Sequence, residues 1–310
     1  MSFAFIFPGQ GSQSVGMLSE LAASHSIVVD TFTEASNVLG YDLWALIQNG
    51  PAEDLNKTDC TQPAMLTAGV ACWRVWQEQG GEMPSLMAGH SLGEYTALVC
   101  SGAISLADGV SLVSDRGRFM QEAVAPGEGA MAAVLGMEDD AVRAVCNDAA
   151  EDEVLSAVNF NSPGQVVIAG NTAAVERATI IAKERGAKRA IVLPVSVPSH
   201  CSLMESAAEK LQTRLTTISI NTPSIPVVNN VDVATPSDVE QIKQALVKQL
   251  SNPVRWVETI NKMSADGIAN VVECGPGKVL AGLNKRINKE FPAYPLFDTA
   301  SLAKAIEAVK

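Results

Sequence analysis

The sequence predicts an α/β fold in which a large parallel sheet carries a smaller inserted unit. Three short apolar runs, at Phe3–Phe7, 86–88 and 268–273, suit buried parallel strands because they lack the alternation of a half-exposed strand. A turn containing glycine follows each run, and helical stretches lie between them. Between residues 129 and 195 the elements become shorter and follow the order β-α-β-β-α-β.

The inserted unit is predicted by apolar patterning and by one turn. In the sequence NSPGQ, Pro163 sets φ and Gly164 tolerates a positive φ, which is typical of a turn between two strands. The order of elements is that of a ferredoxin-like fold. We therefore expect a large domain at 1–125 and 196–310 and a ferredoxin-like inserted domain at 126–195. The predicted elements of the inserted domain are strands at 130–135, 155–159, 166–169 and 189–193 and helices at 139–149 and 173–185.

Composition argues against several classes of protein. With 47% hydrophobic and 18% charged residues, the chain is expected to fold around a substantial core. The formal net charge of −12 opposes binding to nucleic acid or to an anionic membrane surface. Six scattered cysteines without a C-x-x-C pair predict neither a disulfide nor a metal site. The N-terminus has no basic segment and its apolar run stops at Pro8, so we expect a cytoplasmic protein, by default a monomer.

The sequence GHSLG at 89–93 fits the G-x-S-x-G pattern, which places a nucleophilic serine on a sharp turn between a strand and a helix. Ser91 has that context, because a strand is predicted at 86–88 and a helix at 93–100. The large domain is therefore predicted to be α/β-hydrolase-like. Such a serine can pass an acyl group to water or to another acceptor.

A serine nucleophile needs a base within hydrogen-bond reach, and the chain has three histidines. His90, next to the serine, is expected to pack, and His25 is expected at the surface. His200 follows two prolines at the edge of the inserted domain, so we predict that it is the base. The group that orients its imidazole is left open between Asp232, after a predicted strand, and a main-chain or amide carbonyl.

Arg116 lies on the flank of the apolar face of a predicted helix that begins after Ser105. A guanidinium there is unfavourable unless it is paired. Two interpretations remain: an ion pair with an internal carboxylate, or a bidentate site for a substrate carboxylate beside Ser91.

Eight separated motifs in order give the chain a close resemblance to the malonyl-coenzyme A:acyl-carrier-protein transacylases of bacterial fatty acid synthesis. The resemblance runs from the N-terminus to about residue 298. The motifs are FPGQGSQ (7–13), TQPA (61–64), GHSLGEY (89–95), RG (116–117), NFNSPGQVVIAG (159–170), PSHC (198–201), QLSNPVRW (249–256) and GPGKVL (275–280).

The resemblance implies a role for each matching residue. Ser91 would be the nucleophile, His200 the general base and acid, and Arg116 the ligand of the malonyl carboxylate. The backbone N–H groups of Gln10 and Leu92 would form the oxyanion hole.

Four further matches carry narrower implications. The main-chain carbonyl of Gln249 would orient the imidazole, and Gln62 would line the acyl pocket. Asn161 and Gln165 would lie in a loop of the small domain over the coenzyme.

The implied reaction is a ping-pong transfer from malonyl-CoA to acyl carrier protein, without a metal or redox cofactor. Because carrier proteins of this class are acidic, docking would need a locally basic surface, and two clusters of basic residues are candidates. They are Lys183, Arg185, Lys188 and Arg189, and Lys285, Arg286 and Lys289.

Three alternatives remain open from the sequence. A serine esterase or thioesterase would use water as acceptor and an acid such as Asp232. A free-standing acyltransferase of a polyketide or malonate pathway would use the same chemistry. A scaffold protein of an acyl-transfer complex would form no covalent intermediate.

Overall fold

The computed structural model describes residues 2–195 and 197–310. Within them, nine strands form two separate sheets. The strands are β1 (Phe3–Phe7), β2 (Leu86–Gly89), β3 (Gly129–Leu135), β4 (Leu155–Ser162), β5 (Gln165–Asn171), β6 (Arg189–Val192), β7 (Val227–Val228), β8 (Asn270–Cys274) and β9 (Ala293–Leu296). The first sheet is parallel throughout, in the order β7-β2-β1-β8-β9, and the second is antiparallel, in the order β4-β5-β3-β6.

Helices cover both sheets, and a 3₁₀ turn at Ser202–Met204 follows β6 and leads directly into an α-helix. In the described ranges none is long and apolar enough to cross a bilayer. The α-helices are α1 (Ser19–Ser24), α2 (Ile27–Leu39), α3 (Leu43–Asn49), α4 (Ala52–Leu55), α5 (Thr58–Glu78), α6 (Leu92–Cys100), α7 (Leu106–Glu122), α8 (Asp139–Ala150), α9 (Thr172–Glu184), α10 (Glu205–Leu215), α11 (Val239–Gln249), α12 (Trp256–Ala265), α13 (Val279–Ile287) and α14 (Thr299–Val309).

The parallel sheet is buried on both faces, which explains the continuous apolar run of β1. Phe3, Phe5 and Phe7 pack into one core layer, while Ala4 and Ile6 pack into a second layer on the opposite face. Successive side chains of a strand point to opposite faces, so both faces of a doubly covered strand must be apolar. The predicted α/β class with a large parallel sheet is confirmed.

The four-stranded sheet has the ferredoxin-like strand order and lies within residues 129–192. All four predicted strands and both predicted helices of this unit are present, with ends displaced by no more than three residues. The connection of β4 to β5 is shorter than predicted, because both strands continue to Pro163 and Gly164. Gly164 has φ +71°, as the turn requires.

Backbone hydrogen bonds connect the four-stranded sheet to the segment between α11 and α12. Val254 N donates to Val158 O at 2.8 Å, and Phe160 N donates to Val254 O at 3.1 Å. β4 also approaches the carboxyl end of β2, because Asn161 Oδ1 lies 2.7 Å from Nε2 of His90, the residue after β2. A cleft opens at that edge of the parallel sheet, the usual ligand position in such folds.

Candidate active site

Ser91 lies on a strained turn between β2 and α6, with φ 51° and ψ −108°. Close packing explains the two glycines of the motif. A Cβ on Gly89 would lie 1.8 Å from the carbonyl carbon of Gly93, and one on Gly93 would lie 2.0 Å from Phe7 O. The turn therefore excludes side chains on both sides of the serine and presents Ser91 at the cleft.

His200 forms the expected pair with Ser91. Its Nε2 lies 2.8 Å from Ser91 Oγ, and its Nδ1 lies 2.7 Å from the main-chain oxygen of Gln249. Because a carbonyl only accepts hydrogen bonds, Nδ1 carries the proton of the neutral ring and Nε2 is free to accept the serine proton. Burial, reinforced by the positive charge of Arg116, lowers the pKa of His200 to about 3, so the ring is neutral near pH 7.

A carbonyl, and not an acid, faces Nδ1 of the imidazole. Asp232, the alternative considered from the sequence, lies elsewhere: its backbone N–H donates to Asn229 Oδ1, and it lines a different cavity. Gln249 is the last residue of α11, and the end of this helix places the Gln249 carbonyl next to His200 Nδ1.

Arg116 is buried in α7, with 1% of its surface exposed. Its Nη1 donates to Gln62 Oε1 at 2.7 Å, and its Nη2 donates to Gln249 Oε1 at 3.0 Å and to Ser91 Oγ at 3.3 Å. Among the described residues no carboxylate forms an ion pair with it. The ion-pair interpretation is therefore wrong. Burial lowers the pKa of Arg116, but a guanidinium remains charged at neutral pH.

Gln10 and Leu92 both line the cleft. Leu92 is the first residue of α6, where backbone N–H groups have no acceptor within the helix. Gly9 allows the loop after β1 to approach, because a Cβ there would lie 2.5 Å from His90 O. Both amide groups thus belong to backbone that borders Ser91.

The remaining predicted residues differ in their distance from the cleft. Gln62 lines it and binds Arg116. Asn161 Oδ1 lies 2.7 Å from Nε2 of His90, whose ring packs against Trp256 as expected of a structural histidine. Gln165 is outside the cleft lining and accepts a hydrogen bond from Arg286.

The cleft contains a cavity of about 110 Å³ next to Ser91 and His200. Its floor comes from the large unit, and its roof includes residues of the four-stranded unit. Within the described residues no cluster of three or more metal-ligating side chains occurs. The lining residues are Gln10, Thr58, Gln62, His90, Ser91, Leu92, Arg116, Met120, Met131, Asn159, Leu193, Val195, Val197, Ser199 and His200.

Two buried residues next to the reacting pair were missed from the sequence. Glu94 is 2% exposed, and its Oε2 accepts from Asn230 N at 2.9 Å and from Gln249 Nε2 at 2.8 Å. Asn230 in turn binds the backbone of the Ser91 turn. A charged residue in the otherwise buried helix α6 was the available signal for Glu94. Burial raises the pKa of Glu94 to about 7, against the lowering effect of its hydrogen bonds and of Arg116.

The fold and the serine–histidine pair define a class of acyl-transferring enzyme. Residues 4–297 match the family described as the acyl transferase domain, which is 294 residues of this 310-residue chain. The chain is therefore an acyltransferase.

Similarity to individual proteins narrows this class. The chain is 60% identical to the malonyl CoA-acyl carrier protein transacylase of Salmonella typhimurium, with 98% of each chain covered. It is 57% identical to the transacylase of that name from Haemophilus influenzae, with 96% of each covered. The chain belongs to the malonyl CoA-acyl carrier protein transacylases.

Solved structures agree with the sequence comparison. An acyl carrier protein S-malonyltransferase from Vibrio cholerae superposes with a TM-score of 0.96 at 57% identity and covers all of both chains. A second structure holds the malonyl-transacylase PlMCAT with AntF, a type II PKS acyl-carrier protein. It has a TM-score of 0.98 at 56% identity and covers 99% of this chain and 100% of that one.

Proposed function

We propose that the protein transfers the malonyl group from malonyl-CoA to the phosphopantetheine thiol of acyl carrier protein, through a malonyl ester of Ser91, in fatty acid synthesis. The observation that carries this proposal is the Arg116 guanidinium, which is buried, bound only by neutral oxygens, and 3.3 Å from Ser91 Oγ. One methylene separates the two carboxyl carbons of malonate. Arg116 can therefore bind the free carboxylate while Ser91 attacks the thioester end.

In the first half-reaction, Ser91 Oγ attacks the thioester carbonyl while its proton moves to His200 Nε2. The N–H groups of Gln10 and Leu92 stabilise the negative oxygen of the tetrahedral intermediate. Its collapse breaks the carbon–sulfur bond, and the imidazolium protonates the departing coenzyme A sulfur. The Gln249 carbonyl accepts from Nδ1–H throughout and so stabilises the imidazolium that forms.

In the second half-reaction, the carrier-protein thiol gives its proton to His200 and attacks the ester. Collapse of the second tetrahedral intermediate forms the new thioester, and Ser91 recovers its proton from the imidazolium. Only acyl–oxygen and acyl–sulfur bonds change, so we propose a reaction without metal or redox cofactor, with coenzyme A present only as part of the substrate.

Transfer to a thiol requires that water reach the ester slowly. Met131, Leu193 and Val195 contribute an apolar roof, and Val197 continues it beside Ser199. An apolar cover above the Arg116 guanidinium excludes water without blocking a long pantetheine arm.

We also propose that the protein is a monomer that acts in the cytoplasm. We propose that its large domain comprises residues 1–125 and 196–310 and that its inserted domain comprises residues 126–195.

For the carrier protein we propose docking on the two basic clusters, all of whose members are exposed. Both adjoin the turn at Pro163 and Gly164. Arg286 donates to Gln165 after the turn, and the Lys188 side chain covers Gly136, whose N–H donates to Gly164 O at 2.7 Å. One member of each cluster therefore lies at this turn, and we propose that the two clusters act together as one docking surface.

Charge reversal tests this docking surface. Arg286→Glu should raise KM for carrier protein several-fold and leave malonyl loading unchanged, because an acidic partner would be repelled. Lys304→Glu on α14 is the matched control. A loss of loading, or an equal effect of both variants, would argue against the surface.

A second destination for the malonyl group is a polyketide carrier protein. It is favoured by the likeness to PlMCAT, which was solved with a type II PKS carrier. The chemistry at Ser91 is the same, and transfer rates to carriers of the two kinds distinguish the pathways.

Intact-protein mass spectrometry after brief mixing with malonyl-CoA tests the reaction itself. The wild type should gain one malonyl group and lose it when carrier protein with a free thiol is added. Ser91→Ala should gain none and Arg116→Ala much less, whereas Ser26→Ala and Arg118→Ala should behave as wild type. Equal loss without carrier protein would indicate a hydrolase, and absence of an adduct would overturn the proposal.

A further inference from the structure

We propose that Glu94 is a positioning residue for the reacting pair, Ser91 and His200. It acts through two amide side chains, Asn230 and Gln249, and touches neither reacting atom. The inference rests on the proposed roles of the serine and the histidine, and it adds a residue that those roles do not include.

The first connection runs through Asn230 to the serine turn. Glu94 Oε2 accepts from Asn230 N at 2.9 Å. The Asn230 side chain then binds both sides of the turn: Oδ1 accepts from Ser91 N and Nδ2 donates to Gly89 O, each at 2.7 Å. A backbone at φ 51° persists only where its surroundings determine it, and these contacts hold it directly.

The second connection runs through Gln249 to the base. Gln249 Nε2 donates to Glu94 Oε2 at 2.8 Å and to Ser91 O at 3.0 Å. The main-chain oxygen of the same residue holds His200 Nδ1 at 2.7 Å. An anchored side chain fixes the end of α11, and with it the carbonyl that orients the imidazole.

Glu94 Oε2 therefore accepts hydrogen bonds from both Asn230, which holds the turn of the nucleophile, and Gln249, which holds the base. Glu94, Asn230 and Gln249 are all buried, so water does not replace a lost contact without rearrangement. A displaced acceptor would change the distance between Ser91 Oγ and His200 Nε2, now 2.8 Å, on which proton transfer depends.

The length of the side chain at residue 94 tests this inference. Glu94→Gln keeps an acceptor oxygen at the same reach, whereas Glu94→Asp keeps the carboxyl group and withdraws its oxygens by one methylene. The readout is the rate of inactivation by a small fluorophosphonate, which forms an Oγ–phosphorus bond with an activated serine and releases fluoride. Glu94→Asp should lower this rate about 10- to 100-fold, and Glu94→Gln should stay within about threefold of wild type.

Glu273 provides the matched control, because it is equally buried and accepts from Leu280 N and Ala281 N, away from the pair. Glu273→Asp should lower thermal stability and leave the inactivation rate unchanged. The inference is overturned if Glu94→Asp reacts at the wild-type rate, if Glu94→Gln loses as much, or if rates in all variants follow stability alone. Since the probe contains no malonyl group, a failure of malonyl transfer would appear separately, in the loading assay of the wild type.

Discussion

The floor and the roof of the cleft have opposite characters. The floor, from the parallel-sheet unit, contains a polar network in which Arg116, Gln249 and Ser91 are joined by hydrogen bonds. The roof, near the four-stranded unit, presents Met131 and Leu193, which are apolar. From this difference we propose that bond making and acyl recognition depend on the floor, and that the roof determines which acceptor reaches the ester.

The largest expected effect comes from removing the base in the floor. His200→Ala should lower the rate of malonyl loading by about 10²–10⁴-fold, because Ser91 then has no proton acceptor within reach. Rapid-quench measurement of the adduct gives this rate. His25→Ala, at a histidine bound to Glu78 away from the cleft, should load normally, and a His200 variant that does the same would assign the chemistry elsewhere.

A smaller effect is expected from the neutral oxygens around Arg116. Gln62→Glu would place a carboxylate against Nη1 and occupy the charge that malonyl needs. The ratio of malonyl to acetyl loading should fall roughly 10- to 100-fold, measured with the two CoA thioesters in competition. Gln77→Glu, exposed at the other end of α5, should keep the ratio. An unchanged ratio in Gln62→Glu would contradict binding of the malonyl carboxylate by Arg116.

Changing the roof should alter the acceptor and leave loading nearly intact. Leu193→Asn makes the cover polar, so hydrolysis of the malonyl ester should rise about threefold or more. The decay of the adduct without carrier protein measures this rate. Ile191→Asn, on the exposed face of β6, is the control, since Ile191 is already 47% exposed. If Leu193→Asn reduced the rate of malonyl loading more than it raised the rate of ester hydrolysis, Leu193 would contribute to loading, as the floor residues do.

The smallest effect on activity is expected outside both surfaces, at Glu273. Burial raises the pKa of this carboxyl to about 7. Its contribution to stability is then fully present below about pH 4.5 and is lost as pH rises through about 7. Relative to Glu273→Gln, the wild type should lose up to about 3 kcal/mol of unfolding free energy across that window, seen in denaturant titrations. A constant difference between the two proteins would show that the carboxyl keeps its ordinary pKa.

Much of the architecture could be predicted from the sequence because local patterns determine it. The apolar run at Phe3–Phe7 reflects burial on two faces. The periodicity around Arg116 placed it on the flank of the apolar face, and in the structure the residue is buried. The strand β9, with Pro295 in its middle, was missed because an edge strand needs little apolar pattern.

The hydrogen-bond network of the site depended on tertiary structure and was only partly foreseen. Glu94 and Asn230 are 136 residues apart in sequence, and nothing local connects them. Asp232 was a reasonable acid by position, yet it lines a different cavity, and Nδ1 of His200 faces the Gln249 carbonyl. The family resemblance supplied the Gln249 carbonyl, which residue type alone does not reveal because every residue has one.

The backbone at Ser91 and His200 places function and fold in conflict. Both residues have positive φ, 51° and 70°, a region that glycine occupies without strain. Selection for thermal stability alone would favour glycine at both positions and would leave a sturdier, inactive protein. Leu18, Glu151 and Val233 also have positive φ, so a library screened only for heat resistance should enrich glycine at all five positions. At Ser91 and His200 the gain in stability should be accompanied by a loss of malonyl transfer.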